Sequence, residues 1–194
     1  MTHEYQVALT TSLNGRFHTI LTNNLPARIF NLSCNVPLIK YEKQMIIEPL
    51  YSPACDVAIG PFSFARGNIR GLYDRLANLP EFRVFIEQLQ RHSLGNGYNM
   101  ALDLNRNPRC LIAIEVENST ARDVKHLLGS ISNCSLLSKI GIVIVFDEQL
   151  EYAQRLLGYL AFAKRAEKTE RTLFGNVFLI SRTEFDMILA TENY

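Results

Sequence analysis

The sequence predicts an α/β domain in which a mixed central β-sheet is flanked by helices. Three observations predict this class: apolar strand patterns, amphipathic helical patterns that alternate with them in the second half, and two short apolar segments earlier in the chain. The 194 residues suit one domain, since domains average roughly 150 residues. We therefore expect a single domain over residues 1–194, with a helical and loop insertion at about 61–108.

The first half of the chain contains a predicted helix and a predicted hairpin. Residues 3–23 carry a mixed pattern that favours a helix. Residues 44–50 and 55–59 are short apolar segments separated by Tyr51-Ser-Pro-Ala, an arrangement typical of two neighbouring antiparallel strands.

The predicted insertion follows the hairpin. Residues 68–92 have apolar positions at helical spacing and indicate one or two helices, interrupted by Pro80. Residues 93–108 are rich in Gly, Asn and Pro, which predicts a segment that is largely loop.

The second half of the chain predicts alternating strands and helices. Residues 109–118 form a strand pattern, after which Ser119 or Thr120 supplies the N-cap of a helix that runs to about Leu137. Residues 140–146 form a continuous apolar strand of the kind that is buried on both faces. The remaining predicted elements are a helix, a strand and a short helix, at residues 150–167, 177–181 and 183–189.

Composition excludes several classes of protein. Hydrophobic residues make up 47% of the chain and charged residues 20%, which excludes a wholly disordered chain. The longest apolar run, residues 140–146, falls far short of the ~20 residues that a membrane helix needs. Because the N-terminal segment has no basic stretch followed by an apolar core, we find no secretory signal and expect a cytoplasmic protein.

The charges nearly balance, and the cysteines are far apart. Lys and Arg number 20 and Asp and Glu 19, so nucleic-acid binding would have to depend on local basic patches. The four cysteines form no closely spaced pair, which is a poor pattern for a structural zinc site. We expect them to be reduced and mostly buried.

Three acidic residues mark the candidate site. Strand alternation places Glu115 and Glu117 on one side of their strand, with Leu111 and Ala113, at a Cα separation of roughly 7 Å. Asp56 lies on the second hairpin strand, with Cys55, Val57 and Ile59 expected on the opposite side. If that strand pairs beside residues 109–118, Asp56 and Glu115 meet across it. Buried carboxylates need compensation, and two of them with a backbone carbonyl and waters would suit Mg²⁺.

These residues give the sequence a resemblance to a known group of nucleases. Pro53 shortly before Asp56, Glu115-Val-Glu at a strand end, and then a helix and a buried strand are similar to the PD-(D/E)XK superfamily over about residues 44–147. The resemblance implies a restriction-endonuclease-like core and Mg²⁺- or Mn²⁺-dependent hydrolysis of DNA. It makes Asp56, Glu115 and the carbonyl of Val116 metal ligands, and Glu117 a metal ligand or a general base.

The sequence departs from the superfamily pattern in three respects. Glu117 stands where most members have the catalytic lysine, which makes this an ExE variant, and Lys125 on the following helix is the candidate substitute. A long gap separates Asp56 from Glu115, and Pro53 precedes Asp56 by three positions. Members often add an acid from a helix before the first carboxylate; Glu42 and Glu48 are both candidates, and the sequence does not choose between them.

The expected partner is double-stranded DNA, and a homodimer would supply the two active sites that a double-stranded cut needs. The basic residues expected to contact phosphates are Arg66, Arg70, Lys164 and Arg165. The first alternative is a non-catalytic interaction or DNA-associated module that keeps the fold, which the missing lysine and the net charge of +1 favour. The second is a small-molecule enzyme that uses the same acids. In the plainest interpretation, Glu115 and Glu117 face solvent or pair with Arg109 or Lys125, and Asp56 is a turn residue.

Overall fold

A five-stranded mixed sheet forms the centre of the structure, and its strands lie side by side in sequence order. The computed structural model describes residues 2–25, 39–44, 54–62, 70–95, 105, 108–118, 124–166 and 174–191. Strand β2 runs antiparallel to both of its neighbours, β1 and β3, and the last three strands are parallel. The strands are β1 (Ile39–Gln44), β2 (Ala54–Ile59), β3 (Cys110–Glu117), β4 (Ser138–Val145) and β5 (Val177–Ser181). The predicted α/β class with a mixed sheet is confirmed.

Helices cover both faces of the sheet. The described helices are α1 (Thr2–Asn24), α2 (Arg70–Ala77), α3 (Pro80–His92), α4 (Val124–Leu137), α5 (Leu150–Arg165) and α6 (Arg182–Ala190). The apolar residues of α4 and α5 form one core cluster against the sheet, and those of α1, α2, α3 and α6 form another. Pro80 stands at the start of α3, where its missing N–H leaves no helical bond unmade, so the predicted interruption is confirmed.

The first hairpin strand differs from its predicted position. The prediction placed it at residues 44–50, whereas β1 is Ile39–Gln44 and meets that range at Gln44 alone. Residues 45–50 lie outside the described residues. The apolar run Met45-Ile-Ile determined the prediction, but β1 is the edge strand of the sheet and carries charged residues, as edge strands commonly do.

Two further predictions concern the cysteines and the membrane. Cys55, Cys110 and Cys134 are free and buried, as expected, and Cys34 lies outside the described residues. Within the described ranges, no helix combines the length and the apolar character that crossing a membrane requires.

A buried asparagine ties the end of α4 to the sheet. The side-chain amide of Asn176 donates to the carbonyls of Ser135 and Ser138, at 3.1 and 3.0 Å. Its oxygen accepts a hydrogen bond from the Ser135 hydroxyl at 2.9 Å. One of these carbonyls belongs to the last turn of α4, which has no helical partner for it.

Replacing Asn176 by alanine is expected to lower the free energy of unfolding by about 2–4 kcal/mol, because it leaves two carbonyls and a hydroxyl buried without this partner. Urea unfolding measures the effect. Asn78→Ala is the matched control, since its exposed amide donates to a single carbonyl, of Asp74, and we expect a loss below about 0.5 kcal/mol. Similar losses for the two variants would contradict this role of Asn176.

Candidate functional site

Two predicted site residues, Asp56 and Glu115, meet where β3 ends and β2 begins. The antiparallel register pairs Val57 with Ile114 and Ala58 with Ala113. Continued by one residue, it sets Asp56 opposite Glu115. The Asp56 carboxyl group lies within hydrogen-bonding reach of Glu115, and its negative charge acts on the Glu115 side chain. We call Asp56 and Glu115 the acidic pair.

The backbone of Val116 holds Asp56 in place. The Val116 N–H donates to Oδ2 of Asp56 at 2.7 Å. In a strand, the N–H and C=O of one residue point to the same side, since paired residues exchange both bonds. The Val116 carbonyl therefore lies on the β2 side, next to Asp56, where the resemblance expects a third metal ligand.

Burial and charge both act on Glu115. Its side chain is 8% exposed. Burial, followed by the negative charge of Asp56 and a smaller effect of Glu117, raises the pKa of Glu115 to about 8, although an amide hydrogen bond from Asn133 opposes the rise. That hydrogen bond is long, at 3.4 Å. Without a cation, the acidic pair therefore retains a proton at neutral pH.

Helix α4 supplies polar partners that the sequence analysis did not single out. Asn133 donates to Glu115, and the Ser130 hydroxyl donates to Oε1 of Glu117. Ser130 and Asn133 are three positions apart, so they lie on neighbouring positions of one helix face. Ser130 and Asn133 are polar residues among the buried apolar residues Leu127, Ile131 and Cys134. This pattern could have indicated partners for the acids, because α4 packs on the side of β3 that carries them.

Two residues on the strands of the acidic pair, Leu111 and Cys55, face the side of the sheet opposite to the one that strict alternation predicted. Leu111 packs in the cluster opposite the acids, and Cys55 packs in the cluster beneath α4. Both predictions were therefore wrong. Leu111 has no partner in the β3–β4 register, and Cys55 lies beyond Val57, the last β2 residue that is paired with β3.

The strand register places the backbone of one of the two candidate additional acids. Tyr41 pairs with Val57 and Lys43 pairs with Cys55, so Glu42 occupies the position across from Asp56. Glu48 lies outside the described residues. The backbone thus places Asp56 between Glu42 on β1 and Glu115 on β3.

Lys125 is the candidate substitute for the missing lysine. It is exposed in the first turn of α4, and it lies about 100° around the axis from the next residue, His126. His126, Ser130 and Asn133 follow a spacing of four and three, so His126 shares the face that reaches Glu115 and Glu117. Lys125 was predicted from its charge, whereas the helix face that carries Ser130 and Asn133 also carries His126.

Among the four basic residues proposed to bind DNA, the structure describes the side chain of Arg165 and the backbone of Arg70 and Lys164. Helix α5 starts after β4, at the end of the sheet where the acidic pair lies, which we call the acidic edge. Arg165 is at the other end of this 16-residue helix, roughly 24 Å away. Arg70 begins α2, whose Asp74 pairs at 2.5 Å with buried Lys139 near the start of β4, at the far edge. Arg66 and the side chain of Lys164 lie outside the described residues.

The acids do not form one large metal-binding group. Among the side chains that the structure describes, no three His, Cys, Asp or Glu residues come together in a way that could hold a metal ion. The oxygen set at this edge is the acidic pair with the Val116 carbonyl. Mg²⁺ is commonly held by one or two carboxylates and several waters, so this set fits it.

Comparison of the chain with protein-family models, with curated proteins and with solved structures finds no match. The resemblance to the PD-(D/E)XK nucleases neither gains nor loses support from this result. A functional proposal for this chain therefore rests on the geometry of its own residues.

Proposed function

We propose that this chain is a Mg²⁺- or Mn²⁺-dependent deoxyribonuclease that hydrolyses phosphodiester bonds in double-stranded DNA. The observation that carries the proposal is the contact between the carboxyl groups of Asp56 and Glu115 at the edge of the sheet. Two acids in contact, one of them buried, need either a proton or a cation to neutralise them. Of these two, only a divalent cation would also supply catalysis, by activating a water for phosphodiester hydrolysis.

The order of the elements supports the proposal. After a helix (α1) and an antiparallel pair (β1 and β2), the chain inserts α2 and α3. A third strand that carries Glu115 and Glu117 (β3), a crossover helix (α4) and a parallel fourth strand then follow. This order is similar to the core of the PD-(D/E)XK nucleases. Asp56 on β2 and Glu115 near the end of β3 support the proposal, because they lie on neighbouring strands of one sheet.

Each residue has a distinct task in the proposed reaction. Asp56, Glu115 and the Val116 carbonyl would hold the ion, which when bound polarises the phosphodiester and lowers the pKa of a water. The Val116 N–H keeps the Asp56 carboxylate turned towards β3. Half-buried Glu117, at the end of the strand, is available to accept a proton from the water. Cutting both strands would require two such sites, which favours a homodimer.

The rival function is a non-catalytic module with the same fold. The specific observation in its favour is the raised pKa of Glu115, because a shared proton alone satisfies the acidic pair near neutral pH. The glutamate at position 117, where most PD-(D/E)XK nucleases have a lysine, also favours it.

A cleavage assay with Glu115→Gln tests the proposal. Long DNA of mixed sequence is incubated with the protein and Mg²⁺ or Mn²⁺, and in parallel with chelator. We expect metal-dependent fragments, and a rate at least about 100-fold lower for Glu115→Gln, because the variant removes a ligand charge. Discrete fragments would indicate sequence-specific cutting.

Glu151→Gln is the control, since this exposed acid on α5 contacts Arg155 alone among the described side chains and should keep the wild-type rate. Calorimetric titration with Mn²⁺ accompanies the assay. Wild-type protein that neither binds Mn²⁺ nor cleaves DNA would contradict the nuclease and support the non-catalytic module.

A further inference from the structure

Glu115 and Glu117 lie on the same face of β3 but have different partners. Glu115 contacts Asp56 across the sheet and receives the weak amide hydrogen bond of Asn133. Glu117 accepts a hydrogen bond from the Ser130 hydroxyl instead. Strand alternation places Glu115 and Glu117 on the same face, but their different partners give them different surroundings.

Ser130 is a fixed anchor for Glu117. Its side chain is buried on the face of α4 that packs against the sheet, between Leu127 and Ile131. A hydroxyl that donates to a carboxylate forms a charge-assisted hydrogen bond, which is stronger than a neutral one. Ser130 occupies Oε1, and within the part of the chain that the structure describes no hydrogen bond reaches Oε2 of Glu117.

The position of Glu117 also separates it from the acidic pair. The described side chains contain no group of three acids that could hold a metal ion, so Glu117 does not complete such a group with Asp56 and Glu115. Removal of the Ser130 hydroxyl would release Glu117 to rotate towards the pair, about one strand repeat away.

We propose that Ser130 is a positioning residue that holds Glu117 out of the metal ligand set, so that Glu117 serves as the proton acceptor. This inference rests on the proposed nuclease function. The water oxygen forms a bond to phosphorus while its proton passes to Glu117. The bond between phosphorus and the leaving sugar oxygen breaks, that oxygen takes a proton from a solvent water, and Glu117 returns its own proton to solvent.

The experiment compares metal affinity with the rate of cleavage. Mn²⁺ binding to the full chain is measured by calorimetry, and the single-turnover rate is measured at saturating Mn²⁺ and DNA. The variants are Ser130→Ala, Ser130→Thr and Glu117→Gln. Ser132→Ala is the matched control, because the Ser132 hydroxyl donates to the Leu128 carbonyl of the same helix and does not reach the acids.

We expect Ser130→Ala to lower the rate about tenfold while Mn²⁺ binds equally well or more tightly. Ser130→Thr keeps the hydroxyl and should restore the rate to within about threefold. Glu117→Gln should lower the rate at least about 100-fold with little change in Mn²⁺ affinity. A purely structural role for Ser130 would instead weaken metal binding and folding together.

Three results would overturn the inference. Weaker Mn²⁺ binding by Glu117→Gln, about fivefold or more, would make Glu117 a ligand. A wild-type rate for Ser130→Ala, with Mn²⁺ affinity unchanged, would remove the positioning role and leave the nuclease intact. Wild-type protein without Mn²⁺ binding or cleavage would overturn the nuclease and this inference together.

Discussion

Replacing Gly141 by alanine is expected to lower the free energy of unfolding by about 2–4 kcal/mol. A Cβ at this position of β4 would lie 2.8 Å from the Cβ of Cys134 and 2.9 Å from Cγ2 of Val177. It would also lie 3.2 Å from the backbone of Cys134, so a side-chain rotation cannot relieve the contact. Either α4 moves away from the sheet or β5 shifts, and both changes disturb packed core.

The same substitution at Gly129 should have the opposite sign. Gly129 lies on the exposed side of α4, and a Cβ there would have no atom within 4 Å. Alanine favours a helix over glycine by up to about 1 kcal/mol, so Gly129→Ala should be stabilising. Urea unfolding of both variants checks the pair of predictions, and destabilisation of both would show that glycine is needed in α4 for another reason.

Gly141 also affects the contacts between α4 and the acids Glu115 and Glu117. The close approach of Cys134 to β4 sets the distance of α4 from the sheet, and Ser130 and Asn133 reach the acids from the same helix. We expect Gly141→Ala to disturb the contacts of Glu115 and Glu117 as well as the core. Its metal affinity should therefore fall together with its stability.

The sequence contained enough information to bring Asp56 and Glu115 together. Their strands have clear apolar patterns, and the alternation of side chains with antiparallel pairing fixes which residues face each other. The parallel strand after α4 was equally clear, because both of its faces are buried. Local patterns thus predict β2, β3 and β4 and, once β2 is paired beside β3, the residues that face each other, whereas they misplaced β1.

The partners of the acids could not be predicted in the same way. Ser130 became a candidate only when the packing of α4 fixed which helix face meets β3. Lys125 carries the more suggestive charge, but the phase of α4 depends on tertiary packing rather than on charge. The side to which Cys55 turns depends on where the ladder ends, which no local pattern encodes.

The stability of the metal-free protein is expected to fall as the pH rises from about 5 to about 8. The unfolded chain releases the Glu115 proton near pH 4.3, its ordinary pKa, whereas the folded state retains it to about pH 8. Between these values the folded state binds more protons than the unfolded state. Each increase in pH therefore favours the unfolded state, and the total effect is on the order of 3 kcal/mol.

Glu115→Gln should remove most of this slope. The variant has no proton to lose at this position, so it should match the wild type near pH 5 and exceed its stability at pH 9 by on the order of 3 kcal/mol. Urea unfolding in chelator at both pH values measures the difference. Glu151→Gln, at an exposed position, should leave the slope unchanged, and a wild type without the slope would show that Glu115 ionises freely.

Added metal turns this slope into a test between the two functions. At pH 8, Mn²⁺ at 100 times its Kd should stabilise the wild type by about 2.7 kcal/mol, because it binds only the folded state and replaces the proton of the acidic pair. Glu115→Gln should gain much less, since it lacks one ligand charge. If Mn²⁺ leaves the wild-type curve unchanged, the proton alone neutralises Asp56 and Glu115, and the fold serves as a module without this chemistry. If Mn²⁺ restores the stability that the rising pH removes, the same two carboxylates that destabilise the empty protein are the ones that bind the ion.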